Sequence, residues 1–335
     1  MRATMPARAG RARAALVAAT VLAATLAGAG APAQAQSWPS KPVRLIVPFP
    51  PGGGNDVIAR AVAQKLGDRL GQPVVVENRA GANGIVGLQA LMQAAPDGHT
   101  IAVGAAGPLA VNPSLYDKLP YDPVRDFAPV SNLVNFPLLL VTHPSVAAKT
   151  IRELVALARA QPGKLHYSSP GSGNSGHLAG ELFNTMAGVK TVHVPYKGQG
   201  PALTDLIAGQ VQMLYSSIPS VLPHVRQGQL NAIAVGSARR IAPLPDIPTI
   251  AESGVPGYEA YSWVGLVAPA ATPRAVVTRL HREVVEILKE KDVAEKLSGQ
   301  GALPVGDAPE QFAAYIRAEI DKWGAVVRSS NIKID

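Results

Sequence analysis

Three glycine-rich segments hold the residues most able to do chemistry. Each follows a strand-like apolar run and precedes a helical pattern. The first is Pro48–Asp56 (PFPPGGGND), the second Glu77–Gly84 (ENRAGANG), the third Ser168–Gly176 (SSPGSGNSG). Glycines at such joints let backbone N–H groups line a concave turn, and the helix start behind them favours an anion. The first segment lacks the G-K-[ST] of a nucleotide-triphosphate loop. Its residues equally suit a rigid Pro-Gly turn with Asp56 as an ordinary cap, and residue types alone leave both readings open. The second can be another anion cradle with Arg79 nearby, or a surface loop with a solvated arginine. In the third, Gly171, Gly173 and Gly176 fit G-x-G-x-x-G. A dinucleotide site needs an acid about 20 residues on, at the end of the next strand. Tyr196 and Lys197 stand there instead. What survives is a Gly/Ser loop offering N–H and hydroxyl donors.

Other chemistries find no matching set. There is no G-x-S-x-G elbow. Ser172 and His177 are near in sequence, but a triad is defined by geometry rather than proximity. His177 reads better as a residue lining or buttressing its loop. The seven histidines form no H-E-x-x-H and no i, i+4 pair, and the chain has no cysteine. Thiolate nucleophiles, disulfides, iron–sulfur clusters and Cys-ligated zinc are excluded. No metal and no cofactor is expected, nor is a pair of carboxylates placed for acid–base work.

The elements that must position these loops alternate regularly. Strands are expected at Val43–Pro48, Val74–Glu77, Thr100–Ala105, Leu138–Thr142, Lys164–Ser168, Thr191–Pro195, Gln212–Ser216, Ala232–Ser237 and Val264–Pro269. All are short apolar runs bounded by Gly, Pro or Asn. Helices are expected at Asp56–Leu70, Gly84–Ala95, Thr150–Ala160, Ser175–Ala187, Gly200–Ala208, Ser220–Gln227, Arg274–Glu290 and Pro309–Val327. In the first of these, Ile58, Val62, Leu66 and Leu70 form one stripe. Asn55-Asp56 can cap its start, and Thr150–Glu153 has capping-box form. The rhythm implies parallel or mostly parallel sheets with helices on both faces. Residues 239–261 break it as a long Pro-rich connection.

The chain has 335 residues, enough for about two domains. With 47% hydrophobic and 16% charged residues it can build real cores. Aromatics at 5% argue against base-stacking platforms. Residues 1–13 carry Arg2, Arg8, Arg11 and Arg13, an apolar run spans Ala14 to Ala31, and Ala33-Gln34-Ala35 follows. This is the pattern of a secretory signal peptide cleaved after Ala35, with Gln36 as the mature start. The formal charge of +8 then drops by the four leader arginines, to +4. No basic run exceeds Arg239-Arg240, so nucleic-acid binding is not expected. Three Gly-rich loops, export and no catalytic set are what a two-lobed solute receptor needs.

The segments VRLIVPFPPGGGNDVIARAV, VENRAGANG, YDPVRDFAPV, SSPGSGNSGHLAGELF, VPYKGQGPALTDLIAGQVQ and LPDIPTIAESGVPGYEAYSWVGLVAPAATP closely resemble the Bug/TctC family. These are extracytoplasmic solute-binding proteins of tripartite tricarboxylate transporters. The resemblance runs in order over residues 38–330. It implies an α/β type II periplasmic binding protein, two α/β lobes joined by crossover strands with the ligand cleft between them. Lobe 1 would be 38–140 plus 262–335, and lobe 2 would be 141–261. It implies a small carboxylate ligand, such as a di- or tricarboxylate, an amino acid or an aromatic acid. The ligand would be held mainly by backbone donors and bridging waters. The implied ligand-binding residues are Pro51, Gly52, Gly53, Asn55 and Asp56; Asn78, Gly81 and Ala82; Ala106; Ser169, Gly171, Ser172, Gly173, Asn174 and His177; Tyr196, Lys197 and Gly198; and Ser217. Implied partners are the integral-membrane permease subunits, with a sensor kinase as an alternative and a monomeric chain. This sequence reads GANGIVG where many members read GAGGNIG, so Asn83 replaces a glycine and Ile85 an asparagine. Two rivals stand beside the transport receptor: an exported Ser/His hydrolase using Ser172 and His177, and a receptor that signals to a membrane sensor.

Overall fold

A computed structural model describes residues 38–299, 301–330 and 332. The leader and its cleavage point after Ala35 lie outside the described residues. Strand β1 (Val43–Val47) leads into α1 (Gly54–Leu70), and β2 (Val74–Asn78) into α2 (Ile85–Met92). Strand β3 (Thr100–Ala105) leads into a π turn at Gly107–Val111 and the short α3 (Asn112–Leu115). The long β4 (Phe127–Thr142) is followed by α4 (Ile151–Ala160), β5 (His166–Ser169) and α5 (Ser175–Ala187). Next come β6 (Val192–Pro195), α6 (Gln199–Ile207), β7 (Met213–Ser217), α7 (Ile218–Arg226) and β8 (Asn231–Val235). The chain ends with β9 (Tyr261–Pro269), α8 (Arg274–Leu288), α9 (Lys291–Gly299), β10 (Leu303–Pro304) and α10 (Pro309–Ser329).

The strands form one curled sheet in the order β2-β1-β3-β9-β4-β7-β5-β6, with β8 and β10 also paired to β4. Pairing is parallel for β1 with β2 and β3, and for β5 with β6 and β7. It is antiparallel wherever β4 or β9 takes part. The expected mostly parallel sheet is therefore corrected: each end is parallel and the middle is antiparallel. The cause is β4, which crosses from one parallel group to the other. Pro137 is its last residue paired with β9, and Leu138 its first paired with β7. The strand expected at Leu138–Thr142 instead starts at Phe127 and runs through Pro129, Asn132, Asn135 and Pro137, residue types that favour turns. Register shifts at Pro129/Ser131 and Asn132/Val134 absorb them. Asp307 braces the second shift by accepting Asn132 N–H at 2.7 Å.

Helix signals were local and mostly held. Ile58, Val62, Leu66 and Leu70 are all buried beneath α1. Thr150 caps α4 by accepting Glu153 N–H at 3.2 Å, while Glu153 reaches back to Lys149 N–H at 2.7 Å. Asn55-Asp56 is not the cap of α1. The helix begins at Gly54, its cap residue is Gly53, and Asp56 points inward. Helix α9 and strand β10 lie where the sequence reading placed nothing. Residues 239–260 contain no helix or strand, as expected of the Pro-rich connection. One hydrophobic cluster joins both strand groups through Ile46, Leu138, Leu140, Tyr167, Tyr215 and Trp263. A second, with Leu139, Leu214 and Val221, underlies α7. No helix among the described residues is long and apolar enough to cross a membrane.

Candidate functional site

Parallel strands end at the same edge, so the helices that follow them start together. This gathers the N-termini of α5, α6 and α7 at one edge of the second strand group. The first group delivers α1 to meet them. A cavity of about 410 Å³ lies among these four helix starts. Gly54 and Asn55 border it from α1, Ser175 and Gly176 from α5, Gln199 from α6, and Pro219 and Ser220 from α7. Phe136 and Leu138 of β4 and Ser262 of β9 form its floor, with Tyr215, Ser216 and Ser217 of β7. A second cavity of about 160 Å³ adjoins it, lined by Phe49, Asn83, Ala105, Ala106, Gly107, Val111, Gly173, Leu178, Tyr261 and Trp323. Asn55, Asn174, Ser175 and Ser262 border both.

Among the described residues, no Lys, Arg, His, Asp or Glu borders either cavity, nor do three His, Cys, Asp or Glu side chains meet to hold a metal. Donors are supplied by neutral groups. Asn174 Oδ1 caps α5 by accepting Gly176 N–H at 2.7 Å and His177 N–H at 3.1 Å. That fixes the amide's orientation, so Nδ2 faces away from the helix. It is buried with no protein acceptor. Gln199 Nε2 donates to Ser216 Oγ at 2.8 Å, which turns Ser216 toward Ser217 O. The Ser217 and Ser220 hydroxyls share one hydrogen bond of 2.7 Å, leaving a hydroxyl hydrogen for an outside acceptor. Each helix start carries roughly half a positive charge. Three of them have no acid in the first turn, and on α1 the first-turn Asp56 is offset by Arg60, so together they make an anion site with no cation on its wall.

Two braces shape the loops. Asp56 accepts Gly52 N–H at 2.9 Å, Arg60 Nε at 2.9 Å and Asn78 Nδ2 at 2.8 Å. The Arg60 hydrogen bond, helped by Gly52 and Asn78 against burial, holds its carboxyl down at about 2. On the other loop, Gly173 N–H donates to His177 Nδ1 at 3.0 Å. Gly171 N–H donates to Ser169 Oγ at 3.2 Å, and Ser169 Oγ bonds His193 Nε2 at 2.6 Å. The His177 and His193 rings stack with centroids 3.7 Å apart. Burial pushes both down to about 4. His177 thus buttresses its loop, and its Nδ1 serves Gly173 rather than Ser172.

Of the residues expected at the site, Asn55, Ala106, Gly173, Asn174 and Ser217 border the cavities. Asp56, Asn78, Ser169 and His177 lie behind them as braces. Pro51, Gly52, Gly53, Gly81, Ala82 and Ser172 are exposed loop residues, and Gly171 is half-buried on its loop. Lys197 is exposed, Gly198 is half-buried beside it, and Tyr196 turns its hydroxyl to Asp205 Oδ2 at 2.7 Å. Sequence reasoning missed Phe49, Phe136, Gln199, Tyr215, Ser216, Ser220, Tyr261, Ser262 and Trp323. Only Ser216, Gln199 and Ser220 had a usable signal, as polar residues at the ends of apolar strands or the starts of helices. Asn83 adopts a left-handed backbone (φ 49°), and its Nδ2 donates to buried Asn112 Oδ1 at 2.8 Å.

The family model for the tripartite tricarboxylate transporter family receptor, TctC, matches residues 58–332. Protein BugT of Bordetella pertussis (strain Tohama I) is 41% identical over 309 residues, covering 92% of this chain and 95% of BugT. The structure of R. palustris Rpa4515 with adipate is 38% identical with a TM-score of 0.75, covering 88% of this chain and 99% of that one. MatC of Rhodopseudomonas palustris with bound malate is 34% identical with a TM-score of 0.71, covering 87% and 100%. The chain therefore belongs to the TctC/Bug family of periplasmic solute-binding receptors, with the two-lobed α/β fold of that family, and is a receptor rather than an enzyme.

Proposed function

We propose that this receptor captures a small carboxylate between its two lobes and hands it to the membrane permease subunits of a tripartite transporter. The lobes would comprise residues 38–140 with 262–335, and 141–261, after removal of the leader at Ala35. The observation that carries this reading is the cavity among four helix starts, with Asn174, whose buried Nδ2 has no protein acceptor, in its lining and no ionic side chain on its wall. A carboxylate supplies the acceptor that Nδ2 lacks and the negative charge that the helix starts favour. The adipate and malate of the two relatives agree with that chemistry. The loops Pro51–Asp56, Asn78–Ala82, Ser169–His177 and Tyr196–Gly198 would shape the cleft, partly through waters. As the lobes close, both would contribute donors, and the radius of gyration in solution scattering should fall at saturation.

Asn174→Asp is the decisive variant. Aspartate caps a helix as well as asparagine does, so α5 should persist. The outward donor becomes a carboxylate oxygen that repels the ligand. Calorimetry should show carboxylate binding weakened at least a hundredfold, about 2.7 kcal/mol, with an unchanged melting curve for the free protein. Undiminished binding of the acid that co-purifies with the wild type would refute the assignment.

A further inference from the structure

The smaller cavity has a different chemistry from the larger one. Phe49, Val111, Leu178, Tyr261 and Trp323 give it an apolar wall. Trp323 offers it only ring carbon, because its Nε1 is spent. That N–H donates to Glu319 Oε2 at 2.7 Å, and Trp263 Nε1 donates to the same oxygen at 3.0 Å. Glu319 is 3% exposed and also pairs with Lys322. The Lys322 ammonium lies 4.5 Å from the Trp323 ring centroid. The indole is thus held in place by a charge cluster that is neutral in itself.

Charge matching then limits what can enter. A second carboxylate in this cavity would find few donors left: Asn55, Asn174, Ser175 and Ser262 are shared with the first carboxylate, and Asn83 Nδ2 already donates to Asn112 Oδ1. An ammonium group would find no acid on the wall, and Lys322 already sits over the indole. A charged end buried without a partner is strongly disfavoured. A neutral, flat, apolar end meets no such obstacle. The size agrees: an apolar cavity of about 150 Å³ holds benzene, and this one measures about 160 Å³. Asn55, Asn174, Ser175 and Ser262 border both cavities, so a carboxylate on Asn174 can carry a ring with little or no spacer.

We propose that the ligand of this receptor is an aromatic monocarboxylate, its carboxylate on Asn174 and the helix starts and its ring between Phe49, Tyr261 and Trp323. This rests on the carboxylate reading above and narrows it, away from the dicarboxylates held by the two relatives. Calorimetric titration of the folded protein with benzoate, phenylacetate, succinate, adipate and malate tests it. One of the aromatic acids should bind at least tenfold tighter than any diacid. A diacid that binds as tightly overturns this inference and leaves the carboxylate reading standing. Failure of every acid to bind overturns both. Phe49 lies half-buried on a loop, so Phe49→Ala should fold, with a melting curve like that of the wild type. It should weaken the aromatic acid at least tenfold. Unchanged affinity in that variant overturns the placement of the ring.

Discussion

The loop before α1 and the loop before α5 do the same job with opposite chemistry. Each turns its glycine N–H groups inward and delivers a helix start to the cleft. The first is braced by an ionised carboxylate, Asp56, which takes Gly52, Arg60 and Asn78 as donors. The second is braced by a neutral imidazole, His177, stacked on His193. Surroundings explain the choice. Arg60 is half in solvent and can bring a positive charge to Asp56. His177 and His193 pack against buried Tyr167, whose hydroxyl bonds Glu181 at 2.5 Å, and among the described residues neither forms an ion pair. A tight loop needs an acceptor for its inward N–H groups. Whether that acceptor carries charge follows from what can reach it.

The two braces should therefore fail at different pH. His177 and His193 sit at about 4, below the ordinary 6.5, because burial favours their neutral forms. Between those values the unfolded chain binds more protons than the folded one, so stability rises with pH across the window. Their contribution is complete above pH 6.5 and is lost as pH falls toward 4. The cost is about 1.4 kcal/mol per histidine per pH unit at most. Protonation would also set an N–H on His177 Nδ1 against Gly173 N–H. The Asp56 contribution is present above its ordinary value of 3.8 and is lost only as pH falls toward 2. Asp307, raised by burial, acts in the opposite sense near the lower end of the window. Urea unfolding at pH 7 and pH 4.5 should show a loss of about 2 kcal/mol or more. In His193→Phe, which stacks but does not titrate, that loss should shrink. Equal stability at both pH values would mean the imidazole pair is not the acid-sensitive brace.

Removing the charged brace should cost somewhat less. Asp56→Ala removes the acceptor of Gly52 N–H and the carboxylate partner of Arg60, while Asn78 Nδ2 keeps Phe49 O and Arg60 keeps Asn78 Oδ1. Arg60 is solvated, so the charge penalty is discounted, and a loss of about 2 kcal/mol is expected. Asp56→Asn keeps an acceptor for Gly52 and should lose about half of that. Chemical denaturation of both variants at pH 7 measures the difference. An alanine variant as stable as the wild type would show that Gly52–Gly54 holds its shape unaided.

The same contrast shows what could be read from the sequence. Period and punctuation carried local information. The Ile58, Val62, Leu66, Leu70 stripe and the Thr150 cap needed only neighbours in sequence, and both were legible. The Gly-rich loops were legible as donors at strand ends. The braces were not, because Asp56 meets Asn78 and Ser169 meets His193 across 22 and 24 positions. Nor was the β4 crossing, since bulges at Pro129 and Asn132 hide a strand behind turn residues. Trp323 comes to the cleft from the last helix, and nothing in its local pattern marks it as other than core.

Arg79 gives the smallest expected effect and sharpens the contrast most directly. It is the cation of the second Gly-rich segment, and residue type alone made it a candidate anion partner. Its Nε instead donates to Glu77 Oε1 at 2.6 Å, and its side chain is 40% exposed. It borders neither cavity. A partly exposed pair of this kind contributes about 1 kcal/mol or less to stability. Its charge reaches the cleft only through solvent, where screening acts within about 8–10 Å. Arg79→Ala should therefore change carboxylate affinity by about twofold or less, well under the 1.4 kcal/mol that a tenfold change represents. Raising the salt concentration should leave even that difference smaller. A tenfold or greater loss, diminishing with salt, would show that an arginine charge neutralises the ligand and that helix starts and neutral donors do not suffice.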